Sequence, residues 1–552
     1  MRRTLLAALS LSGLLATGPA AAAGTLFVNA DLATGAGDGS SWSDAFQGAL
    51  GLQSALAAAV SGDEIFVAQG TYRPTAGLSR TVAFALVNGV AVYGSFLGTE
   101  TSPAERPPFG TAPSVLSGDL AGDDGSQLFG DNSFHLVTTA GAGASAVLDG
   151  FVISSGAATG AGGNTDRGGG ILCLNASSPT VRNCRFTGHR ATFGGGSGYI
   201  AGTAAPSFTD CSFENGLGGS FGGAFDVAGA GAVRYERCLF KGNTAARAGA
   251  LELFSTSGVV VSNCIFTGNT STGSGGGGAL WLGSGGNPAV RNCTIVGNAS
   301  TVNAVGGVRV QNAAGATVAN CVLWDNSGPG GAQASANQVT ATALVTHSLV
   351  EGGFAGAGNQ GSDPLLADIG NGDFAPTPAS PCLDAGDNAE VPAGSTLDFA
   401  QQPRFADVLG VPDTGAGAAP VVDIGAIEFP SAWLDLGQSL AGTSGAPALV
   451  LSGTLVAGSP LGVSLTGAAP SATAWLVVGL APLGAPFKGG VMVPAVNLLF
   501  ALPVSPLGAL AFGTTWPAGI PSGFSTWYQF WVADAGAPHG FAASNGVKGT
   551  AP

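Results

Sequence analysis

The sequence predicts an all-β protein built mainly as a solenoid, and three observations support this. A short pattern with one cysteine returns six times between residues 168 and 326, as VRNCRFTGH, SFTDCSFEN, RYERCLFKGN, VSNCIFTGN, VRNCTIVGN and VANCVLWDN. The cysteines are 27, 27, 26, 29 and 28 residues apart, and periods of roughly 20–50 residues are typical of solenoids. Short apolar runs bounded by Gly and Asn favour strands over helices. Together these features predict a right-handed parallel β-helix.

Two columns of the repeat are predicted to face inward. The cysteines are Cys184, Cys211, Cys238, Cys264, Cys293 and Cys321, and an apolar residue stands two positions after each. Five positions after the cysteine come His189, Asn243, Asn269, Asn298 and Asn326, whereas Asn215 falls at four. An unpaired buried amide costs roughly a few kcal/mol. We therefore expect the asparagines to form a hydrogen-bonded ladder from coil to coil.

The cysteines are predicted to be reduced, although an even number in an exported chain often indicates disulfides. In-register parallel strands lie about 4.8 Å apart with parallel side chains. A disulfide needs Cβ atoms near 3.8 Å and a strongly twisted dihedral. A column of buried thiols is therefore favoured over disulfides, and over a metal site that would need ligands on several sides. Cys173 is expected on the outer face and Cys382 in a later region.

Composition and charge restrict the partners. The chain of 552 residues has a formal charge of −15 and a pI near 4.5, which argues against nucleic acid and anionic membrane surfaces. Met1, Arg2 and Arg3, an apolar stretch over 5–16 and alanines at 21–23 predict a signal peptide over 1–23. No later run is long and apolar enough to suggest a membrane span. We expect a secreted or cell-surface protein.

The remaining chain divides by pattern into four parts. These are a cap strand and helix over 24–64, the β-helix over 65–357, a closing region over 358–430 and a C-terminal domain over 433–552. In the cap, helical spacing predicts a helix over 43–60, with Ser43 as its N-cap, lying over the first coil. The C-terminal part has short apolar strands separated by turn residues, which predicts a β-sandwich-like domain.

Several motifs carry a family resemblance. FVNADLATGAGDGSSWSDAF, SGDEIFVAQGTYRP, VAVYGSFLGTE, VLSGD, DNSFHLV and VLDGFVI resemble bacterial secreted right-handed β-helix proteins of the polymorphic outer-membrane-protein type. SDPLLAD, SPCLDAGD and VVDIGAIEF, within 362–429, are similar to the choice-of-anchor Q region that closes such helices. The resemblance implies the fold, export and a surface or extracellular location, and it assigns no catalytic residue.

One candidate site lies on the strands that begin with glycines. If Leu251 and Leu253 point inward, Glu252 faces solvent, and the same alternation exposes Asp226, Trp281 and Arg309 in successive coils. Two carboxylates one coil apart, at roughly 5 Å, have the separation found in retaining glycosidases. An exposed Trp281 would offer an apolar face for a sugar ring. The alternatives are a glycan-contact surface without catalysis, and polar residues that simply solvate an exposed face.

No cofactor is predicted, with Ca²⁺ as the one alternative. Asp384, Asp387, Asp398 and Asp423 in the closing region could supply oxygen ligands. Aspartates of this kind more often bond the backbone of their own turn. We expect a monomeric, non-enzymatic scaffold or adhesin-like protein that contacts extracellular polysaccharide or cell-surface components. The alternative is a polysaccharide lyase or glycoside hydrolase of the pectate-lyase-like type, which rests on fold analogy.

Overall fold

A computed structural model describes residues 24–551 except 230, 284, 304, 314, 330–334, 409, 430 and 431. The predicted signal peptide, 1–23, lies outside the described residues. Short strands in the first part of the described chain form long parallel sheets, and strands toward the C-terminus form smaller antiparallel sheets. The fold class predicted from the sequence, a parallel β-helix with an N-terminal helical cap and a C-terminal sandwich-like domain, is confirmed.

Each coil of the β-helix contributes up to four strands, and stacked coils form four parallel sheets, numbered here in the order in which the chain visits them. Sheet 1 contains Thr25–Asn29, Phe46–Gln47, Glu64–Ala68, Ala91–Phe96, Val147–Asp149, Thr180–Arg182, Ser207–Thr209, Arg234–Glu236, Val260–Ser262, Ala289–Arg291, Thr317–Ala319 and Leu344–Thr346. Sheet 2 contains Gly70–Tyr72, Ser114–Ser117, Phe151–Ser154, Arg185–Thr187, Ser212–Glu214, Leu239–Lys241, Ile265–Thr267, Thr294–Val296, Val322–Trp324 and Leu349–Val350.

The other two sheets complete the coil. Sheet 3 contains Ala157–Ala158, Arg190–Ala191, Leu217–Gly218, Thr244–Arg247, Thr270–Gly276 and Ala299–Ser300. Sheet 4 contains Phe84–Ala85, Val137–Thr138, Ile171–Cys173, Gly198–Ala201, Phe225–Ala228, Leu251–Phe254, Leu280–Gly283 and Val308–Gln311. Because strands pair in register from coil to coil, a residue type that recurs with the period becomes a column of neighbouring side chains.

The inward column after each cysteine is a stack of aromatic rings. Phe213 and Phe240 lie with ring centroids 5.0 Å apart, and Phe240 and Phe266 lie 4.4 Å apart with nearly parallel planes. Ile295 and Leu323 continue the column, and all of these side chains are fully buried. Stacked aromatic and branched side chains give this core large apolar burial in each coil.

The six repeat cysteines lie where the chain passes from sheet 1 to sheet 2, and all eight cysteines are free and buried. Cys264 illustrates their contacts. Its Sγ donates to the carbonyl of Ser262 at 3.1 Å and to that of Tyr235 at 3.5 Å, and it accepts the N–H of Cys238 at 3.4 Å. The expectation that Cys173 faces outward is wrong. Its side chain alternates with that of Leu172 and lies in the core.

The asparagines lie in the turn between sheets 2 and 3, where they hydrogen-bond from coil to coil. Asn269 donates through Nδ2 to Oδ1 of Asn298 at 2.8 Å and to the carbonyl of Phe240 at 2.9 Å. Its Oδ1 accepts from Nδ2 and from the backbone N–H of Asn243, at 2.9 and 3.0 Å. Asn298 and Asn326 repeat the arrangement, and Gln338 ends the ladder by accepting from Nδ2 of Asn326 at 2.7 Å.

A histidine occupies the same turn at the start of the ladder. The Nδ1 atom of His189 accepts the N–H of Gly156 at 3.0 Å, so Nε2 carries the proton and donates to the carbonyl of Ile153 at 2.9 Å. Complete burial lowers the pKa of His189 to about 4, which keeps the ring neutral. Asn215 is exposed, and Gly216 takes the ladder position, where its N–H donates to Oδ1 of Asn243 at 2.9 Å.

The N-terminal helix is shorter than predicted. It spans Gly51–Ala58 with Leu50 at its N-cap, so the prediction of a helix over 43–60 capped by Ser43 is wrong. The Ser43 hydroxyl instead donates to Asp44, and Phe46–Gln47 pairs with the first strand. Gly48 then adopts a φ of +69°, which breaks any helix that starts earlier. Buried side chains of the helix join the core of the β-helix, as expected of a cap.

The closing region packs along the outer face of sheet 2. Its antiparallel pair, Leu366–Asp368 and Asp373–Pro376, precedes an irregular segment. An apolar cluster joins the closing region to sheet 2 and contains Phe374, Cys382, Ala385, Ile424 and Ala426 with Ile265, Val296, Val322 and Leu349. The N–H of Ala426 also donates to Oγ1 of Thr294 at 3.0 Å. Apolar residues on the outside of sheet 2 are therefore covered by a later part of the chain.

The C-terminal domain is an antiparallel sandwich of two main sheets. One contains Trp433–Asp435, Val547–Thr550, Ser525–Ala533, Thr473–Gly479, Leu498–Pro503 and Phe541–Ala543, and the other contains Ala448–Ser452, Pro460–Thr466 and Leu510–Thr515. Pro482–Phe487 and Gly490–Pro494 form a separate hairpin. Buried residues from both main sheets form one core. The described short helices are Ser335–Gln338 and the 3₁₀ turns Pro103–Glu105, Asp124–Ser126, Ile369–Asn371, Asn388–Glu390 and Pro538–Gly540.

The ladder makes a quantitative prediction for Asn269→Ala. The change leaves two donors of Asn243 and the carbonyl of Phe240 without their partners in a buried turn, so we expect a loss of about 1–3 kcal/mol in the free energy of unfolding. Denaturant unfolding followed by circular dichroism measures it. The control is Asn215→Gly, at an exposed turn position with a φ of +55°, which should change stability by less than about 0.5 kcal/mol. Equal losses in both variants would contradict the ladder.

Candidate functional site

The four candidate residues lie in one column on sheet 4. Asp226 pairs with Glu252, Glu252 with Trp281 and Trp281 with Arg309 in successive strands. Tyr199 precedes Asp226 in the same column. The structure thus brings the four together on the outer face of the sheet, opposite the inward-facing Leu251 and Leu253.

The expected exposure is wrong for three of the four residues of this column, whereas Arg309 is half-buried. Asp226 and Trp281 are each 2% exposed and Glu252 is 1% exposed. The side chains that cover them come from the corner that leads into each strand of sheet 4. These covering residues are all partly exposed, and they are Arg167, Phe193, Phe221 and Arg247. We call this set, together with the column it covers, the arginine–aromatic layer.

Arg167 forms one half of the layer. Its guanidinium lies 3.9 Å from the ring centroid of Phe193 and 4.9 Å from that of Tyr199. It donates to the Tyr199 hydroxyl at 3.1 Å, and its Nη1 is 3.6 Å from Oδ2 of Asp226. A Cβ on Gly194 would lie 2.6 Å from that oxygen, so glycine is needed here to make room for the carboxylate.

Arg247 forms the other half. Its guanidinium lies between two rings, 4.3 Å from the centroid of Phe221 and 4.1 Å from that of Trp281. It also donates to both carboxylate oxygens of Glu252, through Nε at 3.1 Å and through Nη2. Each buried acid of the column therefore faces a guanidinium that is itself held between aromatic rings, a geometry that favours arginine over lysine.

The buried acids of the layer are hard to ionise. Desolvation raises the pKa of Asp226 to about 6, against the opposing effect of Arg167. Desolvation also raises the pKa of Glu252 to about 7, although the hydrogen bond from Arg247 lowers it. The charge of Asp226 acts on Glu252 in the same direction as burial. Near neutral pH the two acids thus titrate, and they do so behind a cover of arginine and aromatic side chains.

Sequence reasoning found the column and missed its cover. Arg167, Phe193, Phe221 and Arg247 each stand immediately before the glycine- or alanine-led corner, in DRGGG, TFGGG, SFGGA and ARAGA, at steps of 26, 28 and 26 residues. This recurrence is a further column of the repeat and was available as a signal. Alternation along a strand shows which face a residue is on, but it does not show whether a neighbouring corner covers that face.

The predicted calcium ligands do not gather at one point. Asp387 accepts the N–H of Ala389, and Asp398 accepts those of Gln402 and Glu428. Asp423 accepts those of Asp384 and Phe429. Three of the four aspartates thus bond backbone amides, which was the alternative stated from the sequence. Asp384 differs from them, because neither of its carboxylate oxygens has a hydrogen-bond partner among the described residues.

Comparison with known proteins supports the fold class. Residues 149–346 match the family described as "Right handed beta helix region". The solved structure of pectate lyase Pel9A is similar at 14% identity, over 74% of this chain and 97% of that one, with a TM-score of 0.40. The enzymatically active domain of tailspike protein 2 from bacteriophage CBA120 is similar at 10% identity, over 90% of this chain and 73% of that one, with a TM-score of 0.19. The curated proteins contain no match. The family match and the stacked parallel sheets show that the chain contains a right-handed parallel β-helix.

The layer predicts a pH-dependent effect of Arg247→Gln. Glu252 has a folded-state pKa of about 7, above its ordinary 4.5. Its contribution to the free energy of unfolding is therefore fully present below pH 4.5 and is lost as the pH rises through 7. Without Arg247 the pKa of the buried acid rises further, so near pH 8 the acid must bind a proton or stay ionised without a partner, and we expect a loss of stability about 1–2 kcal/mol larger than near pH 5. Near pH 5 the protonated acid makes the loss smaller.

Thermal and denaturant unfolding at both pH values measure this difference. The double variant Arg247→Gln, Glu252→Gln is the control, because it removes the titrating acid along with its partner. Its loss of stability should vary less between the two pH values than that of the single variant, because only Asp226, whose pKa Arg247 also lowers, still titrates there. A loss in the single variant that is the same at both would contradict the proposed pairing.

Proposed function

We propose that this protein is an exported, non-enzymatic scaffold, adhesin-like in character, whose β-helix binds extracellular or cell-surface polysaccharide along the outer face of sheet 4. The observation that carries the proposal is the arginine–aromatic layer, in which the guanidinium carbons of Arg167 and Arg247 lie 3.9–4.9 Å from the centroids of four rings. Right-handed β-helix architecture supplies the long, regular face on which successive coils repeat such a surface.

The layer has the chemistry of a sugar-binding platform. The Arg167 and Arg247 side chains are 25% and 27% exposed, and Phe254, stacked at 6.2 Å from Trp281, is 40% exposed. Ring faces pack against the apolar faces of sugar rings, and guanidinium N–H groups donate to hydroxyls. A net charge of −15 on the whole chain disfavours a strongly acidic glycan. We therefore propose a neutral polysaccharide.

The same contacts argue against catalysis by Asp226 and Glu252. A general acid or nucleophile must reach the glycosidic bond. Both carboxyls are almost fully buried and are directed at arginines within the layer. Hydrolysis or elimination at this site would require the layer to open. A polysaccharide lyase or glycoside hydrolase remains the second candidate, and the raised pKa values of the two acids are the observation that favours it.

The proposed location rests on the predicted signal peptide and on the motifs within 362–429 that resemble a choice-of-anchor Q region. Among the described residues, no helix is long and apolar enough to cross a bilayer. We propose a monomer that needs no cofactor to bind glycan. The acidic surface and the absence of basic runs fit a partner other than nucleic acid.

The proposal predicts that Phe254→Ala weakens polysaccharide binding by roughly tenfold, about 1.4 kcal/mol, because an exposed aromatic anchor is lost. A panel of neutral and acidic polysaccharides, screened by glycan array and titrated by calorimetry, identifies and measures the ligand. The control is Phe109→Ala, since Phe109 is 46% exposed and belongs to an early coil. Equal binding by Phe254→Ala and the unaltered protein would contradict the assigned surface.

The same panel is assayed for new reducing ends and for unsaturated products. We expect no turnover that depends on the layer. Turnover abolished by Asp226→Asn or Glu252→Gln, with the fold intact by circular dichroism, would overturn the non-enzymatic proposal in favour of the hydrolase or lyase.

A further inference from the structure

An acidic cluster in the closing region contains a buried carboxylate that forms no ion pair among the described residues. Asp384, Asp407 and Asp413 each place a carboxylate oxygen within 4.8 Å of the others. Asp384 is completely buried. Among the described residues, neither of its carboxylate oxygens has a hydrogen-bond partner. Such a group is costly to bury unless it is protonated or coordinates a cation.

Asp384 differs from the neighbouring acid Glu428 in the charges that surround it. Glu428 is paired with the buried Arg404, whose Nε lies 3.0 Å from its Oε1, and Arg404 also donates to the carbonyl of Asp423 at 2.6 Å. Nε and Nη2 of Arg404 thus serve Glu428 and Asp423, while Nη1 has no hydrogen-bond partner among the described residues. Desolvation raises the pKa of Asp384 to about 8, and the charges of Asp423, Asp407 and Asp413 act in the same direction. The Val408 amide opposes this rise only in part.

The backbone around Asp384 is arranged to hold the cluster together. The Asp384 N–H donates to Oδ1 of Asp423 at 2.7 Å, and its carbonyl accepts the N–H groups of Thr414 and Gly415 at 2.8 and 3.0 Å. The segment that carries Asp413 is thereby hydrogen-bonded to the backbone of Asp384, the buried member of the cluster. Asp407 is half-buried and Asp413 is exposed, which gives an ion a path from solvent.

A second acidic cluster allows a comparison of how the carboxylates are hydrogen-bonded. Asp119, Asp123 and Asp124 also lie close together. Here Asp119 accepts the backbone N–H groups of Gly122, Asp123 and Asp124 at 2.6, 3.1 and 3.3 Å, so the loop neutralises its own carboxylate. Asn132 donates to both carboxylate oxygens of Asp124, whereas one oxygen of Asp123 has no hydrogen-bond partner among the described residues. Most of this cluster is therefore hydrogen-bonded by the protein itself, and it supplies a comparison for the cluster around Asp384.

We propose that Asp384, Asp407 and Asp413 bind one divalent cation, of which Ca²⁺ fits best. The ligand set is three carboxylates without nitrogen or sulfur, which selects a hard cation. Ca²⁺ tolerates irregular geometry and completes its coordination with water and carbonyl oxygens, whereas Mg²⁺ requires a near-ideal octahedron. The site differs from the one expected from the sequence, since Asp387, Asp398 and Asp423 are not its ligands.

The site's role is to fix the closing region onto the β-helix. Cys382 and Ala385, on either side of Asp384, pack in the apolar cluster that covers sheet 2. A cation that joins Asp384 to Asp407 and Asp413 holds the later segment against this cover. This role is independent of glycan binding.

The experiment uses the full mature protein after treatment with a chelator. Calorimetry with CaCl₂ should show one site per chain, and CaCl₂ should raise the unfolding temperature more than MgCl₂ does. Asp384→Asn and Asp413→Asn should each abolish the Ca²⁺-dependent rise, whereas Asp119→Asn should retain it. Asp413 is exposed, so that variant tests the site even if Asp384→Asn fails to fold. No binding, or an undiminished rise in both cluster variants, would overturn the proposal.

Discussion

The structure depends on a hydrogen-bond partner for the buried backbone N–H at one turn of each coil. Between sheets 2 and 3 the chain changes direction inside the protein, and the N–H at the turn has no strand partner. The Asn side chain of the next coil accepts that N–H, as Asn298 does for Asn269 at 3.0 Å, and its own amide donates onward. Because unpaired buried donors are costly, this bond fixes the register of each coil on the next. His189 and Gln338 show that other side chains can begin and end the ladder.

The outer face of sheet 4 follows from the same register. Once the coils are aligned, Asp226, Glu252 and Trp281 must lie over one another, and the corners before them must place Arg167 and Arg247 above. The resulting layer balances charge locally and leaves planar surfaces partly open to solvent. Stability and the proposed binding surface therefore share residues: the acids hold the arginines in place, and the arginines and rings are what a glycan would touch.

Sequence reasoning recovered what the period encodes. The coil length, the inward cysteines and the alignment of Asp226 with Glu252 are all periodic, so position alone predicts neighbours. Sequence reasoning failed where the local structure depends on a contact that does not follow the period. Gly48 ends the early helical pattern, and the corner arginines cover a face that strand alternation predicts to be open. Asp407 and Asp413 approach Asp384 through an irregular segment that no repeat describes.

Hydrogen–deuterium exchange of the native protein tests the central claim most directly, because it reports on the turn amides themselves. The account predicts that the N–H groups of Asn243, Asn269 and Asn298, each bonded to the next side chain in the ladder, exchange as slowly as the adjoining strand amides. Amides of exposed turns such as that of Gly162, in the loop before sheet 4, set the comparison. Fast exchange at the three asparagines, equal to that of exposed loop amides, would contradict a ladder-bonded solenoid.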